Sequence, residues 1–340
     1  ALQLVALVVI AILTAVNCQG VKAAKIIQTT FTSTKAAALA LLIVLGFLAF
    51  DRHAGVAANF GPNFWQAQDL NGNPLTGLGL LSVLAVAMVG PLFANDAWNN
   101  LTFAGEEVKN SEQTVPRSLR IGTLIVGLLY TLTNVAYLLL LPLHGVKGDP
   151  TVIGRGIQFA LEDRVGTAAA EIIFGQAGQY IMAAAIMIST FGGLNGLILA
   201  GPRAYYAMAL DGLFFKNAGI LHARTNVPTF GLILQGIWAA ILTTTGTYGN
   251  LLEYVVFAAL LFYVLTVIAI FILRRKEPDI PRPFKVPLYP YLPIVYLVLA
   301  IAIMIGQIFL APKYSGFGLL IILSGWPIFY LWRWLASKGN

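Results

Sequence analysis

The chain has 340 residues, of which 58% are hydrophobic and only 10% are charged. That balance excludes a water-soluble globular protein, because so much apolar surface cannot be buried in one interior and must face lipid. The single cysteine, Cys18, excludes an internal disulfide and a multi-cysteine metal site. The chain begins with neither a methionine nor a charged segment before its first apolar stretch, so no signal peptide is predicted and we expect a longer parent protein.

Nine apolar segments follow one another along the chain, most of them about the 20 residues that a helix needs to cross a bilayer. They predict an all-α integral membrane protein, a bundle of about nine transmembrane helices. The first segment is short for a full span, and residues 151–164, in the long loop after the fourth, predict a short interfacial helix. We place the spans near residues 2–16, 30–50, 78–105, 119–141, 179–205, 227–245, 251–273, 290–311 and 317–335.

The positive charges predict the orientation of these helices. Sixteen of the 21 lysines and arginines fall in alternate loops and in the C-terminal tail, which by the positive-inside rule places the C-terminus in the cytoplasm. The net charge of +7 is therefore a topology signal and does not predict a nucleic-acid partner. With nine spans the first residue lies outside, so we expect an odd number of helices to precede it.

The third segment contains an interruption of the membrane pattern. Gly90 and Pro91 favour a break in the helix, and the ionisable Asp96, flanked by Asn95 and Asn99, is costly at mid-bilayer if it faces lipid. Broken helices of this kind line the substrate sites of many transporters. The alternative interpretation is a proline kink whose polar groups are satisfied by neighbouring helices.

Two further segments carry polar or small residues that leave two interpretations open. In the second, a full span draws Lys35 into the membrane, where it is either buried or extended to the cytoplasmic interface. In the fifth, small residues form one helical stripe, which indicates close helix packing, a functional surface or both. The stripe consists of Ser189, Gly192, Gly193, Gly196, Ala200 and Arg203.

The histidines give no support to a membrane enzyme. His53, His144 and His222 all fall in predicted loops, and no span contains a cluster of histidine and acidic residues suited to a metal. No phosphate-binding loop occurs outside the predicted spans. We therefore expect no enzymatic activity, no metal and no cofactor.

Three regions together resemble the L-type amino acid transporters of the amino acid, polyamine and organocation superfamily. They run from Phe93 to Arg117, from Ser189 to Gly212 and from Arg274 to Pro287. The resemblance implies a twelve-helix fold with an inverted repeat of five plus five helices. Residues 1–340 are then a single transmembrane domain, helices four to twelve, without the first three helices, so the substrate site in this chain is incomplete.

The resemblance also implies roles for particular residues. Phe93 corresponds to the aromatic residue that closes over the substrate. Backbone carbonyls around Phe93, Asn95 and Asp96 correspond to those that accept hydrogen bonds from the substrate amine. Trp98 belongs to the same substrate-binding stretch. Lys35 corresponds to a lysine that replaces the sodium ion of sodium-coupled relatives. The expected neighbours of Lys35 are Ser189, Thr190, Gly193 and Asn195.

The predicted function is sodium-independent exchange of neutral amino acids by alternating access, at the plasma membrane. One alternative is a proton-coupled amino acid permease, with Asp96 or Glu106 as the proton carrier. Another is an amino acid receptor that binds without transporting. The expected partners are the amino acid and the lipid bilayer, and the sequence leaves the existence of an accessory subunit open.

Overall fold

The structure is a computed structural model that describes residues 2–49, 51, 53–62, 66–67, 73–103, 105, 108–245, 248–310 and 312–338. These residues form α-helices and short 3-10 turns, with no β-strand among them. The helices are α1 (Leu2–Cys18), α2 (Val21–Leu48), α3 (Ala54–Asn59), α4 (Gly77–Ala87), α5 (Val89–Ala94), α6 (Asn100–Phe103), α7 (Ser111–Leu140), α8 (Val152–Arg155), α9 (Val165–Phe174), α10 (Ala177–Leu210), α11 (Thr229–Thr245), α12 (Tyr248–Lys276), α13 (Tyr291–Leu310) and α14 (Pro312–Lys338).

Five of these helices are long and apolar enough to cross a membrane, which confirms the all-helical membrane class. The qualifying stretches are Ala24–Leu48, Ser111–Leu140, Ala177–Leu210, Val255–Lys276 and Tyr291–Phe309. Shorter apolar helices cover much of the other predicted spans. The total of nine spans and the inverted repeat remain predictions.

The loop after α7 differs from its prediction. In place of one helix over residues 151–164 there are the four-residue α8 and a 3-10 turn at Leu161–Asp163, and then α9, which the sequence analysis did not predict. Helix α8 ends at Gly156, whose φ of 59° is left-handed and stops helix propagation. Thr151 donates to Asp149 Oδ1 from its backbone N at 2.8 Å and its Oγ1 at 2.6 Å, and these bonds lower the pKa of Asp149.

By internal contacts the chain divides into two compact units. The first unit comprises Ala1–Ile10, Ala67–Leu119 and Ala200–Asn340. Its hydrophobic core joins α12 and α13 through Val256, Leu260, Val264 and Ala300, and α5 packs against this cluster. Helices α4 and α13 approach closely, because a Cβ on Gly306 would lie 2.4 Å from the Cβ of Ala85. The broken third segment therefore lies against two long apolar helices.

The second unit comprises Ala11–Gln66 and Arg120–Leu199. Its core of Leu140, Leu141, Ala168 and Ala169 joins the end of α7 to α9. The buried Asn59 closes α7, since its Nδ2 donates to the carbonyl oxygens of Leu138 at 2.7 Å and Leu141 at 2.8 Å. Carbonyl groups at a helix end need such partners when they are out of contact with water. Side-chain amides thus stabilise this unit from its interior.

Candidate functional site

The third segment is broken at the place that the sequence predicts. Pro91 has no N–H to donate to the carbonyl four residues earlier, and α4 ends at that residue, Ala87. Helix α5 then ends at Ala94, and residues 95–99 form turns before α6. Ala97 has a φ of 64°, a left-handed conformation that no helix can continue through. The interruption is therefore a true break of the backbone path and more than a kink.

The break leaves some backbone carbonyls paired and others open. The Pro91 oxygen accepts from the Asn95 backbone N at 3.1 Å and from Asn95 Nδ2 at 3.0 Å. The Asn99 oxygen accepts from Thr102 Oγ1 at 2.6 Å. In contrast, no side chain or loop N–H in the described part of the chain donates to the carbonyl oxygens of Asn95 and Asp96. These two oxygens are among those that the sequence analysis assigned to the substrate amine.

A tyrosine on α12, which the sequence analysis did not single out, forms a hydrogen bond to the break. Tyr263 donates its hydroxyl to Asp96 Oδ1 at 2.5 Å. The same hydroxyl lies 3.3 Å from Asn99 Oδ1, and the Tyr263 ring lies 5.6 Å from the Trp98 ring. The available signal was a hydroxyl within a very apolar span, which needs a hydrogen-bond partner there.

The structure brings Asp96, Trp98 and Asn99 together around Tyr263, whereas Phe93 lies elsewhere on the break. Phe93 packs, partly buried, against the α12 and α13 core cluster. Trp98 is 50% exposed and Asn95 is exposed. The predicted substrate-binding residues are thus neighbours in one segment, with Phe93 on its packed side and Asn95 and Trp98 on its open side.

A second polar site lies in the other unit, where α1, α2 and α10 meet. Asn195 is fully buried on α10, and its Nδ2 donates to the Ala24 carbonyl at 3.1 Å and to Gln28 Oε1 at 3.2 Å. Asn17 donates from Nδ2 to Asn195 Oδ1 at 3.0 Å and to the Leu13 carbonyl at 2.9 Å. We call Asn17, Gln28 and Asn195 the amide cluster. Of its members, the sequence analysis identified only Asn195.

Two glycines of the predicted stripe let α2 and α10 approach. A Cβ on Gly192 would lie 2.6 Å from Phe31 Cβ, and one on Gly196 would lie 3.1 Å from Gln28 Nε2. A Cβ on Gly193, by comparison, would meet nothing within 4 Å. The stripe is therefore a packing surface at Gly192 and Gly196, and Gly193 faces open space.

The same pairs fix the antiparallel register of α2 and α10. Gln28 lies opposite Gly196 and Phe31 opposite Gly192, so one turn further along α2 the residue at the level of Ser189 is Lys35. Lys35 is half-buried, and neither it nor Ser189 forms a hydrogen bond or ion pair with the residues that the structure describes. Thr190 Oγ1 bonds to its own helix, at the Ile186 oxygen. By this periodicity Lys35 and Ser189 fall at the same level of the two helices.

The described residues contain no group of three or more metal-ligating side chains. His53, His144 and His222 all lie outside the helices, as predicted. His53 uses Nε2 to bond the Gly46 carbonyl at 2.9 Å, and His222 Nδ1 lies 3.2 Å from Thr225 Oγ1. Two of the three imidazoles thus have structural roles at helix ends and in a loop.

The chain is similar to known proteins along nearly its whole length. The family model for amino acid permeases matches residues 2–332. The large neutral amino acids transporter small subunit 2 of Oryctolagus cuniculus is 30% identical over 335 residues, 97% of this chain and 57% of the relative. The serine/threonine exchanger SteT of Bacillus subtilis (strain 168) is 28% identical over 330 residues, 96% of this chain and 69% of the relative.

A third relative has a similar extent of match. The Asc-type amino acid transporter 1 of Mus musculus is 29% identical over 333 residues, 96% of this chain and 57% of the relative. The chain thus spans little more than half the length of the first mammalian relatives that it matches. The resemblance found in the sequence is confirmed by a family match along nearly the whole chain, and this chain belongs to the amino acid permease family, as an integral, multi-pass membrane protein.

Proposed function

We propose that the full-length protein exchanges neutral amino acids across the plasma membrane without sodium, by alternating access. The observation that carries this proposal is the break between α5 and α6, where the carbonyl oxygens of Asn95 and Asp96 accept from no side chain or loop N–H of the described residues and are candidates to accept from the substrate amine. Relatives named as transporters of large neutral amino acids and as a serine/threonine exchanger support the substrate class and the exchange mode. Transport is the expected activity in place of catalysis.

The proposal includes the domain organisation. Residues 1–340 form one transmembrane domain that corresponds to helices four to twelve of an inverted-repeat fold, with the C-terminus in the cytoplasm. The family match over residues 2–332 and the alternation of lysine and arginine between loops support it. Cysteine labelling from one side of sealed vesicles tests the orientation, with one cysteine introduced at Lys276 and another at Lys147, which are predicted to lie on opposite sides.

The test of exchange uses purified full-length protein in liposomes. Vesicles are preloaded with a neutral amino acid or left empty, and uptake of a labelled neutral amino acid is followed with and without sodium outside. We expect rapid uptake only into preloaded vesicles and no effect of sodium. Equal uptake into empty and preloaded vesicles would contradict exchange, and no uptake across a broad panel would contradict transport.

The same vesicles distinguish the two alternatives. Proton coupling predicts accumulation in empty vesicles when a pH gradient is imposed. Of the two proposed proton carriers, Asp96 accepts from Tyr263, and Glu106 lies outside the described residues. An amino acid receptor predicts binding, seen as ligand-dependent thermal stabilisation, without flux under any gradient.

We also propose that Lys35 takes the place of a coupling sodium ion. The register of α2 and α10 supports this proposal, because by helix periodicity Lys35 falls on α2 at the level of Ser189 on α10. An ammonium that bridges helices there stabilises one conformation of the transporter, and its loss leaves acceptors unpaired at about 1–3 kcal/mol each. We expect Lys35→Ala and Lys35→Gln to lower the exchange rate about tenfold or more, with normal membrane insertion.

Lys25→Ala is the matched control, because Lys25 is an exposed lysine on the same helix. Its exchange rate is expected to equal that of the unmodified protein. A lysine extended to the interface behaves differently from a bridging one, because neither Lys35 variant then slows exchange. Proteoliposomes at matched protein density give the rates, and near-normal rates for both variants would refute the bridging role.

A further inference from the structure

The carboxylate of Asp96 is unusual in having a hydroxyl as its partner. No lysine, arginine or histidine among the described residues pairs with it, although it is half-buried between apolar helices. An anion in such a place attracts any cation that can reach it. Its only side-chain bond in the described part of the chain comes from Tyr263, at 2.5 Å.

Tyr263 is well placed to control where that carboxylate points. Its ring lies 5.6 Å from the ring of Trp98, and its hydroxyl lies 3.3 Å from Asn99 Oδ1, so it also contacts the residues that follow Asp96 in the chain. The hydroxyl carries one proton, and the distances assign that proton to Asp96. The adjacent residue, Ala97, is left-handed, so the Asp96 backbone is held in a turn while its side chain is held by α12.

We propose that Tyr263 determines the charge selectivity of the substrate site, by holding the Asp96 carboxylate against α12 and away from the substrate side chain. This inference rests on the proposed transport function. With the carboxylate engaged, the open side of the break presents carbonyl oxygens and the Trp98 ring, which suit a zwitterionic amino acid with a neutral side chain. Without the hydroxyl, the carboxylate turns toward the site and binds the side-chain ammonium of lysine or ornithine.

The test is competition in proteoliposomes that contain the full-length protein. Uptake of a labelled neutral amino acid is measured against increasing L-lysine, L-ornithine and a neutral competitor. We expect Tyr263→Phe to increase the potency of both cationic competitors relative to the neutral one on the order of tenfold, the worth of one charge-assisted bond. Unchanged relative potency would overturn the proposal.

Three further variants make the result specific to this bond. Tyr291→Phe removes a hydroxyl from a tyrosine that is 72% exposed, and it should keep the unmodified selectivity. Asp96→Asn combined with Tyr263→Phe should abolish the gain, and a gain that persists there would contradict a role for the carboxylate. Asp96→Glu, whose longer side chain no longer fits the Tyr263 hydroxyl, should raise lysine potency even if Tyr263→Phe does not insert into membranes.

A binding readout separates this inference from the transport proposal. Lysine-dependent thermal stabilisation in detergent is compared between the unmodified protein and Tyr263→Phe. Stabilisation confined to the variant supports the inference even if neither protein transports, in which case the exchange proposal alone fails. Equal lysine stabilisation of both proteins refutes the inference whether or not exchange is observed.

Discussion

The two polar sites of this protein differ in how their polar groups are paired and exposed. The amide cluster places three side chains among α1, α2 and α10, buries Asn17 and Asn195 almost completely and bonds them to one another. At the break between α5 and α6, in contrast, Trp98 is half exposed, and the Asp96 side chain accepts a hydrogen bond from the Tyr263 hydroxyl on α12. The comparison supports the view that the first site is a rigid structural element, and it is consistent with the proposal that the second binds a substrate.

The difference follows from where the polar groups without a hydrogen-bond partner lie. In the amide cluster, the described residues leave only Asn17 Oδ1 without a partner, next to the buried Thr14 Oγ1. Unsatisfied buried groups cost about 1–3 kcal/mol, so a cluster with few of them resists rearrangement. At the break, the carbonyl oxygens of Asn95 and Asp96 accept from no side chain or loop N–H of the described residues, so a ligand can bond to them without breaking such a bond.

The largest effect is expected when asparagine is removed from the amide cluster. Asn195→Ala removes the donor to the Ala24 carbonyl and to Gln28 Oε1, and it leaves Asn17 Nδ2 only its bond to the Leu13 carbonyl. At about 1–3 kcal/mol for each buried group, the protein should lose about 3 kcal/mol or more of stability. Thermal unfolding in detergent, followed by tryptophan fluorescence, measures the change.

Asn134→Ala provides the matched control for that substitution. Asn134 is an exposed asparagine on α7 whose Nδ2, among the described residues, bonds to its own helix alone, at the Tyr130 oxygen. Its removal should change stability by less than about 1 kcal/mol. Equal losses of stability from the two variants would contradict the role of the amide cluster as a rigid structural element.

A smaller effect is expected from adding one methyl group between α2 and α10. Gly192→Ala places a Cβ 2.6 Å from Phe31 Cβ, which forces the helices apart. Overpacking of this kind costs about 1–3 kcal/mol. Gly193→Ala, one residue away, meets nothing within 4 Å and should be neutral or stabilising by about 0.5–1 kcal/mol through helix propensity. Only the unfolding temperature of Gly192→Ala should therefore fall, and an equal fall for Gly193→Ala would contradict the register of α2 and α10.

The sequence predicted the membrane class and the position of the break well, because both depend on local patterns. Twenty-residue apolar stretches and a Gly-Pro pair beside polar residues can be recognised without tertiary information. The short helices of the loop after α7 were harder to predict, since α8 ends through the backbone conformation of Gly156 and α9 is shorter than a span.

The partners within each site could not be predicted, because they come from distant parts of the chain. Asn17 lies 178 residues from Asn195, and Tyr263 lies 167 residues from Asp96. Nothing in a single sequence reports that two such residues meet. A lone asparagine near a helix end or a tyrosine in an apolar span has many possible partners, and only the helix packing selects one.

The smallest effect is expected from repeating the asparagine substitution at the break. Asn95→Ala removes the bond from Asn95 Nδ2 to the Pro91 oxygen, but the Asn95 backbone N donates to the same oxygen and remains. Asn95 is exposed, so no buried group loses its last partner, and the loss of stability should stay below about 1 kcal/mol. Measuring the thermal unfolding of Asn95→Ala and Asn195→Ala together compares the same substitution in the two regions. A loss at Asn95 as large as that at Asn195 would mean that the break is as tightly held as the amide cluster, and its carbonyls would then be poor candidates for a substrate that must bind and leave.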